Sequence, residues 1–219
     1  EIAKKYEASD QRVKVFVNEK NLGDYPNRNK AASYAIGKYL KYLDSDDIMN
    51  SNCLERMVFE MENYPACAFG ISSRSLLEMQ VHYPDNAYRT HFFQRGILDI
   101  SPSGCIIRKD VFDQENGFLE LRCVSDFEFW LRLALKYPLL ELEKDLIFWR
   151  EHNQQEIHLG NKAYLEHTLS ILSENVQLSQ LTETEKFSII QKYKKNTMRY
   201  LLKNILKLGF CDFIKLKQI

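Results

Sequence analysis

The stretch "YLKYLDSDDIMN", residues 39–50, ends an apolar run in Asp44, Asp46 and Asp47. Like charges gathered so closely repel one another unless a cation joins them. Mg²⁺ or Mn²⁺ suits such a place. These hard ions take oxygen ligands from one or two carboxylates and complete their shell with water and substrate phosphates. A plainer reading competes. An Asp before a helix accepts first-turn N–H bonds and suits the positive end of the helix dipole. Asp47 fits that capping role toward the following helix better than a ligand role. The spacing alone leaves metal–phosphate binding and capping, or a solvated turn, both open.

The elements that would position these acids alternate between strand and helix. Residues 1–8 read as the end of a helix, and "VKVFV" (13–17) as a strand buried on both faces. A turn-rich loop (18–29), a helix (30–38) with Gly37 at its C-cap and the strand 39–44 follow. Residues 51–65 carry Leu54, Met57, Val58 and Met61 at helical spacing, and 66–71 form a third strand. This alternation with short loops predicts an α/β domain with a mostly parallel sheet. Residues 72–102 show only a weak pattern, and 103–118 read as a short helix ending near Gly117. In "SDFEFWLRLALKY" (125–137), Ser125 as N-cap and Glu128 three residues on make a capping box. "LLEL" and "LIFWR" read as edge strands, and the chain is helical from about residue 157.

Composition bounds the function. Apolar residues make up 45% and charged residues 27% of 219, ordinary for a soluble globular protein. Thirty basic residues balance thirty acidic ones, so the chain carries no nucleic-acid-binding signature. Five cysteines without a CxxC pair suit a reducing cytoplasm rather than a disulfide framework or zinc site. No apolar run is long enough to span a membrane, and no signal peptide is visible. The start "EIAKKYEASD", without Met and already helix-like, reads as cut into.

Four ordered motifs over residues 1–155 make the chain resemble the family 2 glycosyltransferases of GT-A (Rossmann-like) fold. The first runs through Asn21-Leu-Gly23, Arg28-Asn29, Gly37-Lys38-Tyr39-Leu40 and the D-x-D-type Asp44-Ser45-Asp46. The others are "SGCIIRKDVFDQENGF", "VSDFEFWLRLA" and "FWREHNQQE". The family's opening strand–helix–strand, which forms the nucleotide-pocket floor, is missing from this sequence. Ser125 also stands where the family often has Glu. The resemblance implies a partial catalytic domain over 1–155 and a helical extension over 156–219, with an inverting transfer from a nucleotide-sugar donor to a glycan or lipid-linked acceptor. It suggests a role in bacterial surface polysaccharide synthesis.

Site roles follow from the same resemblance. Asp46 becomes the metal ligand, with His152 of the R-x-H segment approaching the metal or diphosphate. Asp44 lies toward the ribose and sugar, and Arg28 toward the phosphates. Asp126 becomes the general base, although a helix start by itself lowers a carboxyl's pKa. Ser103, Gly104 and Trp130 are placed on the acceptor side, where tryptophans on such helices are also common core residues. A nucleotidyltransferase is one alternative, without a Gly-rich phosphate loop to support it. A non-catalytic scaffold on the same fold is the other.

The tail adds a separate signal. Residues 191–219 hold eight basic residues and one acidic residue, net +7, beside a helical stripe of Met198, Leu201, Leu202, Ile205 and Leu208. Such a helix either packs on its own domain or lies peripherally on the inner face of an anionic membrane. Without its first strands the chain would also expose a sheet edge, which invites self-association into a homo-oligomer.

Overall fold

Central β-rich segments and long amphipathic helices assemble into a sheet with an apolar layer on each face. The computed structural model describes residues 1–150 and 161–208; the side chains of 161–166 and 203–208 lie outside the description. The elements in chain order are α1 (Ile2–Ser9), α2 (Asp24–Ser33), β1 (Tyr39–Lys41), β2 (Ile48–Met49), α3 (Cys53–Asn63), β3 (Phe69–Ser72) and β4 (Gln80–His82). Then come α4 (Pro84–Arg89), β5 (Cys105–Arg108), α5 (Lys109–Gln114), α6 (Ser125–Lys136), β6 (Leu139–Leu142), β7 (Ile147–Phe148), α7 (Asn161–Leu178) and α8 (Glu183–Leu208).

The main sheet has the order β1-β5-β3-β6-β4, and β2 pairs with β7 in a separate ribbon. The α/β class holds, but the pairing is mixed rather than mostly parallel. Among the described strands only β3 and β6 run parallel; β1–β5, β5–β3 and β4–β6 are antiparallel. The cause is β5, which enters the middle of the sheet against the direction of both neighbours. β1, β3 and β6 consequently end on the same sheet edge at which β5 begins.

One apolar layer joins Phe69, Ile107, Phe118, Phe129 and Trp130 to Leu172, Val176 and Ile189 of α7 and α8. The other packs Cys53, Met57 and Met61 of α3 against Ile106, Leu140 and Leu142. The C-terminal helices therefore share the main core.

Several local expectations shift. Residues 13–17 form no strand: the Val15 amide donates to the Glu7 side chain at 2.8 Å, and Phe16 and Val17 are exposed. The second helix starts at Asp24, inside the expected loop, because Gly23 at φ 83° breaks the chain just before it. Pro26 is tolerated there, since first-turn N–H groups have no helical partner. That helix ends against Tyr34, not Gly37. Residues 105–108 are strand rather than helix, because Cys105, Ile106 and Ile107 are buried on both faces of the sheet. "LLEL" is likewise interior, between β3 and β4. On α8, Met198 and Leu202 face outward at 58% and 52% exposure, while Leu201 is half-buried. Ile205 and Leu208 lie outside the described side chains.

Candidate active site

The acidic stretch is a β-turn. The Asp47 amide donates to the Asp44 carbonyl at 3.0 Å, so the chain reverses between β1 and β2. Asp47 therefore caps no helix: residues 48–49 are extended and paired with β7, and α3 starts behind Asn52. Two clamps fix the turn. Ser103 Oγ accepts the Asp44 amide at 2.9 Å, while the Ser103 carbonyl accepts Lys41 Nζ. Arg150 donates to the backbone carbonyls of Asp46 and Ser45. Burial lowers the Lys41 pKa, opposed by charges that include Asp44 and Asp47. Lys41 was not singled out from the sequence; a lysine inside a strand next to three acids was the available signal.

Arg28 bridges acids rather than standing open. Its Nε contacts Asp24 Oδ1 and its Nη2 contacts Asp44 Oδ1, each at 2.8 Å. Burial alone would lower its pKa, but the Asp24 and Asp44 carboxylates outweigh that and raise it. The structure thus brings Arg28 and Asp44 together.

Asp126 is the second residue of α6, in its first turn behind the N-cap Val124. The expected capping box is absent. Ser125 Oγ instead accepts the Leu121 amide at 3.0 Å, and Glu128 pairs with Arg132 at 2.7 Å. Asp126 Oδ1 accepts the Phe127 amide at 2.8 Å. Although the residue keeps some accessible surface, burial of the carboxyl is the largest influence and pushes its pKa up to about 6. The hydrogen bond from the Tyr25 hydroxyl, the Phe127 amide and the Arg28 charge pull the other way. Burial thus overrides the lowering expected at a helix start. Tyr25 went unnoticed in the sequence, yet it lies three residues before Arg28 on α2, a spacing that puts both on one helix face. Asp24, Tyr25, Arg28, Asp44 and Asp126 form one coupled group.

The acceptor-side residues sit deeper than expected. Trp130 is 0% exposed, stacked on Phe69 at 5.6 Å, and donates from Nε1 to the Ile100 carbonyl at 2.9 Å. Its ring has no free face for a sugar, so the acceptor role is corrected to a core role. Ser103 and Gly104 are buried behind the acidic turn. A Cβ on Gly104 would meet Ile100 Cγ1 at 2.5 Å and Trp149 Cζ2 at 2.9 Å. Gly104→Ala is therefore expected to destabilise the fold by about 1–3 kcal/mol through overpacking. A urea titration checks this; an unchanged midpoint would show that the two neighbours yield freely.

Among the described residues, no group of three or more His, Cys, Asp or Glu is arranged to hold a metal ion. His152 lies outside the described residues. The oxygen donors do fit the other mode, in which one or two carboxylates leave most of the shell to phosphate and water. Asp44 is paired with Arg28, and Asp46, the last acid of the D-x-D-type segment, is the candidate ligand by its place in that segment.

An acidic turn at the end of a strand, with a helix-borne carboxylate nearby on a mixed α/β sheet, belongs to the GT-A glycosyltransferase fold. The crystal structure of Staphylococcus aureus TarS in complex with UDP-GlcNAc superposes with a TM-score of 0.69 at 18% identity, covering 96% of this chain and 64% of that one. The chain belongs to glycosyl transferase family 2, whose family model matches residues 1–115. An uncharacterized glycosyltransferase of Methanocaldococcus jannaschii is 30% identical over 70% of this chain and 56% of its own length. The putative teichuronic acid biosynthesis glycosyltransferase TuaG of Bacillus subtilis is 30% identical over 62% of this chain and 55% of its own. The chain thus spans about half the length of these relatives.

Proposed function

We propose that the protein moves a sugar from a nucleotide-sugar donor to an acceptor hydroxyl, with inversion at the anomeric carbon. The acceptor oxygen bonds to that carbon as the bond to the diphosphate breaks. Nucleoside diphosphate leaves, and the acceptor proton passes to Asp126. The observation that carries this reading is the Asp126 carboxyl, raised to about 6 and hydrogen-bonded by Tyr25 beside the Arg28–Asp44 pair. A base with that pKa is ionised at neutral pH and still strong enough to take a proton. Arg28 and Asp44 orient the donor, while Ser103 holds the acidic turn from behind. Mg²⁺ or Mn²⁺ on Asp46, with His152 as a further ligand, would neutralise charge building on the leaving diphosphate. Residues 1–155 are the catalytic unit in this reading and 156–219 its helical extension.

Product analysis tests the reaction class. Transfer releases nucleoside diphosphate and gives a product of opposite anomeric configuration. Pyrophosphate would mark a nucleotidyltransferase, and absence of nucleotide binding would mark a scaffold.

The acceptor is a glycan or lipid-linked glycan of bacterial surface polysaccharide synthesis. The likeness to TuaG, a putative teichuronic acid biosynthesis glycosyltransferase, supports that class. None of the described helices is long and apolar enough to cross a membrane. Peripheral contact from the cytoplasmic side remains open to α8, where exposed Lys194, Lys195 and Arg199 flank outward-facing Met198 and Leu202. Each basic group near an anionic surface adds about 1 kcal/mol. The expected result is co-sedimentation with anionic liposomes that weakens from low to physiological salt and is lost when the exposed Lys194, Lys195 and Arg199 are replaced together by glutamine. Equal binding by both forms would remove the tail from the mechanism.

A further inference from the structure

Away from the acidic turn, the same sheet edge carries a cavity of about 290 Å³. Its polar wall is formed by Ser73, Arg74, Ser75, Arg95, Asp99 and Glu141. Ser73 follows β3, and Glu141 is the third residue of β6, directly opposite Ile71. Because β1 and β3 both end on this edge two places apart, the cavity lies roughly 10 Å along the sheet from the acidic turn, at about 4.8 Å per strand. The link between the two is short. Ile100 lines the cavity, and Ser103, three residues on, holds Asp44.

The wall is preorganised. Glu141 is 2% exposed and accepts bonds from Ser73 Oγ at 2.8 Å and Arg95 Nη2 at 2.7 Å, with His82 Nε2 at 2.9 Å. Burial would raise its pKa, but His82, Arg95 and Ser73 outweigh that and hold it at about 2. Ser73 Oγ in turn accepts the Ser75 and Leu76 amides at 3.2 and 3.1 Å. Arg74 is exposed, with its guanidinium 6.0 Å from the Trp149 ring centroid.

Charge and size narrow the ligand. Two guanidiniums face two carboxylates, so the wall is balanced and favours neither a phosphate nor a bare cation. Fixed donors, fixed acceptors and serine hydroxyls together match a compound whose every oxygen both donates and accepts. The volume is at the lower limit for small-molecule pockets, too small for a whole nucleotide sugar. We infer that this cavity is a subsite for one neutral sugar ring of the acceptor, beyond the sugar that receives the transfer. Arg74, Arg95 and Asp99 make its reading contacts, and Glu141 positions Arg95. The inference rests on the glycosyltransferase reading above and adds a preference for acceptors of at least two sugars.

Binding and transfer are measured separately. The chain has two tryptophans, Trp130 in the core and Trp149 beside Arg74, so fluorescence reports on this region. Cellobiose, chitobiose and lactose are titrated against the protein, with inorganic phosphate as the anionic probe and W149F to identify the signal. At least one disaccharide should saturate the signal. Arg74→Ala and Asp99→Asn, both exposed positions, should weaken that binding about tenfold each, as expected for loss of a charge-assisted hydrogen bond. Near-UV dichroism confirms that the variants fold. Saturation by phosphate in place of sugar, no disaccharide response, or wild-type affinity in both variants would overturn the subsite. Sugar binding without any donor turnover would instead count against the transfer reaction and leave the subsite standing.

Discussion

Asp126→Asn is expected to cut turnover by about 10²–10⁴-fold, the range for loss of a general base, with little change in donor affinity. The pH dependence gives the sharper signature. The carboxylate is the active form, so kcat/KM of the unaltered protein should hold above pH 6 and fall as pH drops through about 6. In the Asn variant that acid limb should vanish. Stability moves the other way. The folded pKa of about 6 lies above the ordinary 3.8, so the folded state binds more protons than the unfolded state between those values. Ionising Asp126 therefore costs stability as pH rises through that window. The amide, which cannot ionise, should be more stable at neutral pH, by up to roughly 3 kcal/mol. Inactive but more stable is a combination that a merely structural aspartate would not produce. A variant with near-normal turnover would move the base elsewhere, and Glu128 could not replace it, being engaged with Arg132 at 2.7 Å.

The long helices were legible because their apolar spacing is unambiguous. The helix at 125–137 and the one at 51–65 appear within a residue or two as α6 and α3. The tail is helical over 161–178 and 183–208. Short apolar runs were not. "CIIR" fits a buried strand or a turn of helix equally well, and only its place between β1 and β3 decides. "LLEL" looked like an edge because of its glutamate. Glu141 sits inside the sheet because Ser73, His82 and Arg95 satisfy it, and all three lie 46–68 residues away in sequence. Propensity has no access to such distant partners.

The site shows the same division. Asp44, Arg28 and Asp126 were readable because the family's motifs are ordered along the chain, and the fold gathers them. What the motifs omit is how each is held. Ser103 carries the Asp44 amide from 59 residues away, and Tyr25 reaches Asp126 across the interface of α2 and α6. Trp130 was misplaced because a helical tryptophan shows its position on the wheel but not which neighbours cover it. The pKa of Asp126 was misjudged for a related reason: the helix-start effect is local, while burial comes from the rest of the chain.

Asp46→Asn is expected to abolish Mg²⁺- or Mn²⁺-dependent binding of uridine or guanosine diphosphate while leaving the fold intact. The turn's backbone hydrogen bonds do not use that carboxylate. Its closing bond joins the Asp47 amide to the Asp44 carbonyl, and Arg150 grips the Asp46 backbone carbonyl, so both survive the substitution. Asp44 cannot easily take over, because its Oδ1 is 2.8 Å from Arg28 and would lose that pairing to a metal. A divalent ion held by one or two carboxylates loses much of its protein affinity when one becomes a neutral amide. Calorimetry with and without the metal separates the contributions. Any binding through Arg28 should persist without metal, whereas the metal-dependent increment should vanish in the variant. An increment of unaltered size would show that Asp47, or a residue outside the turn, holds the ion.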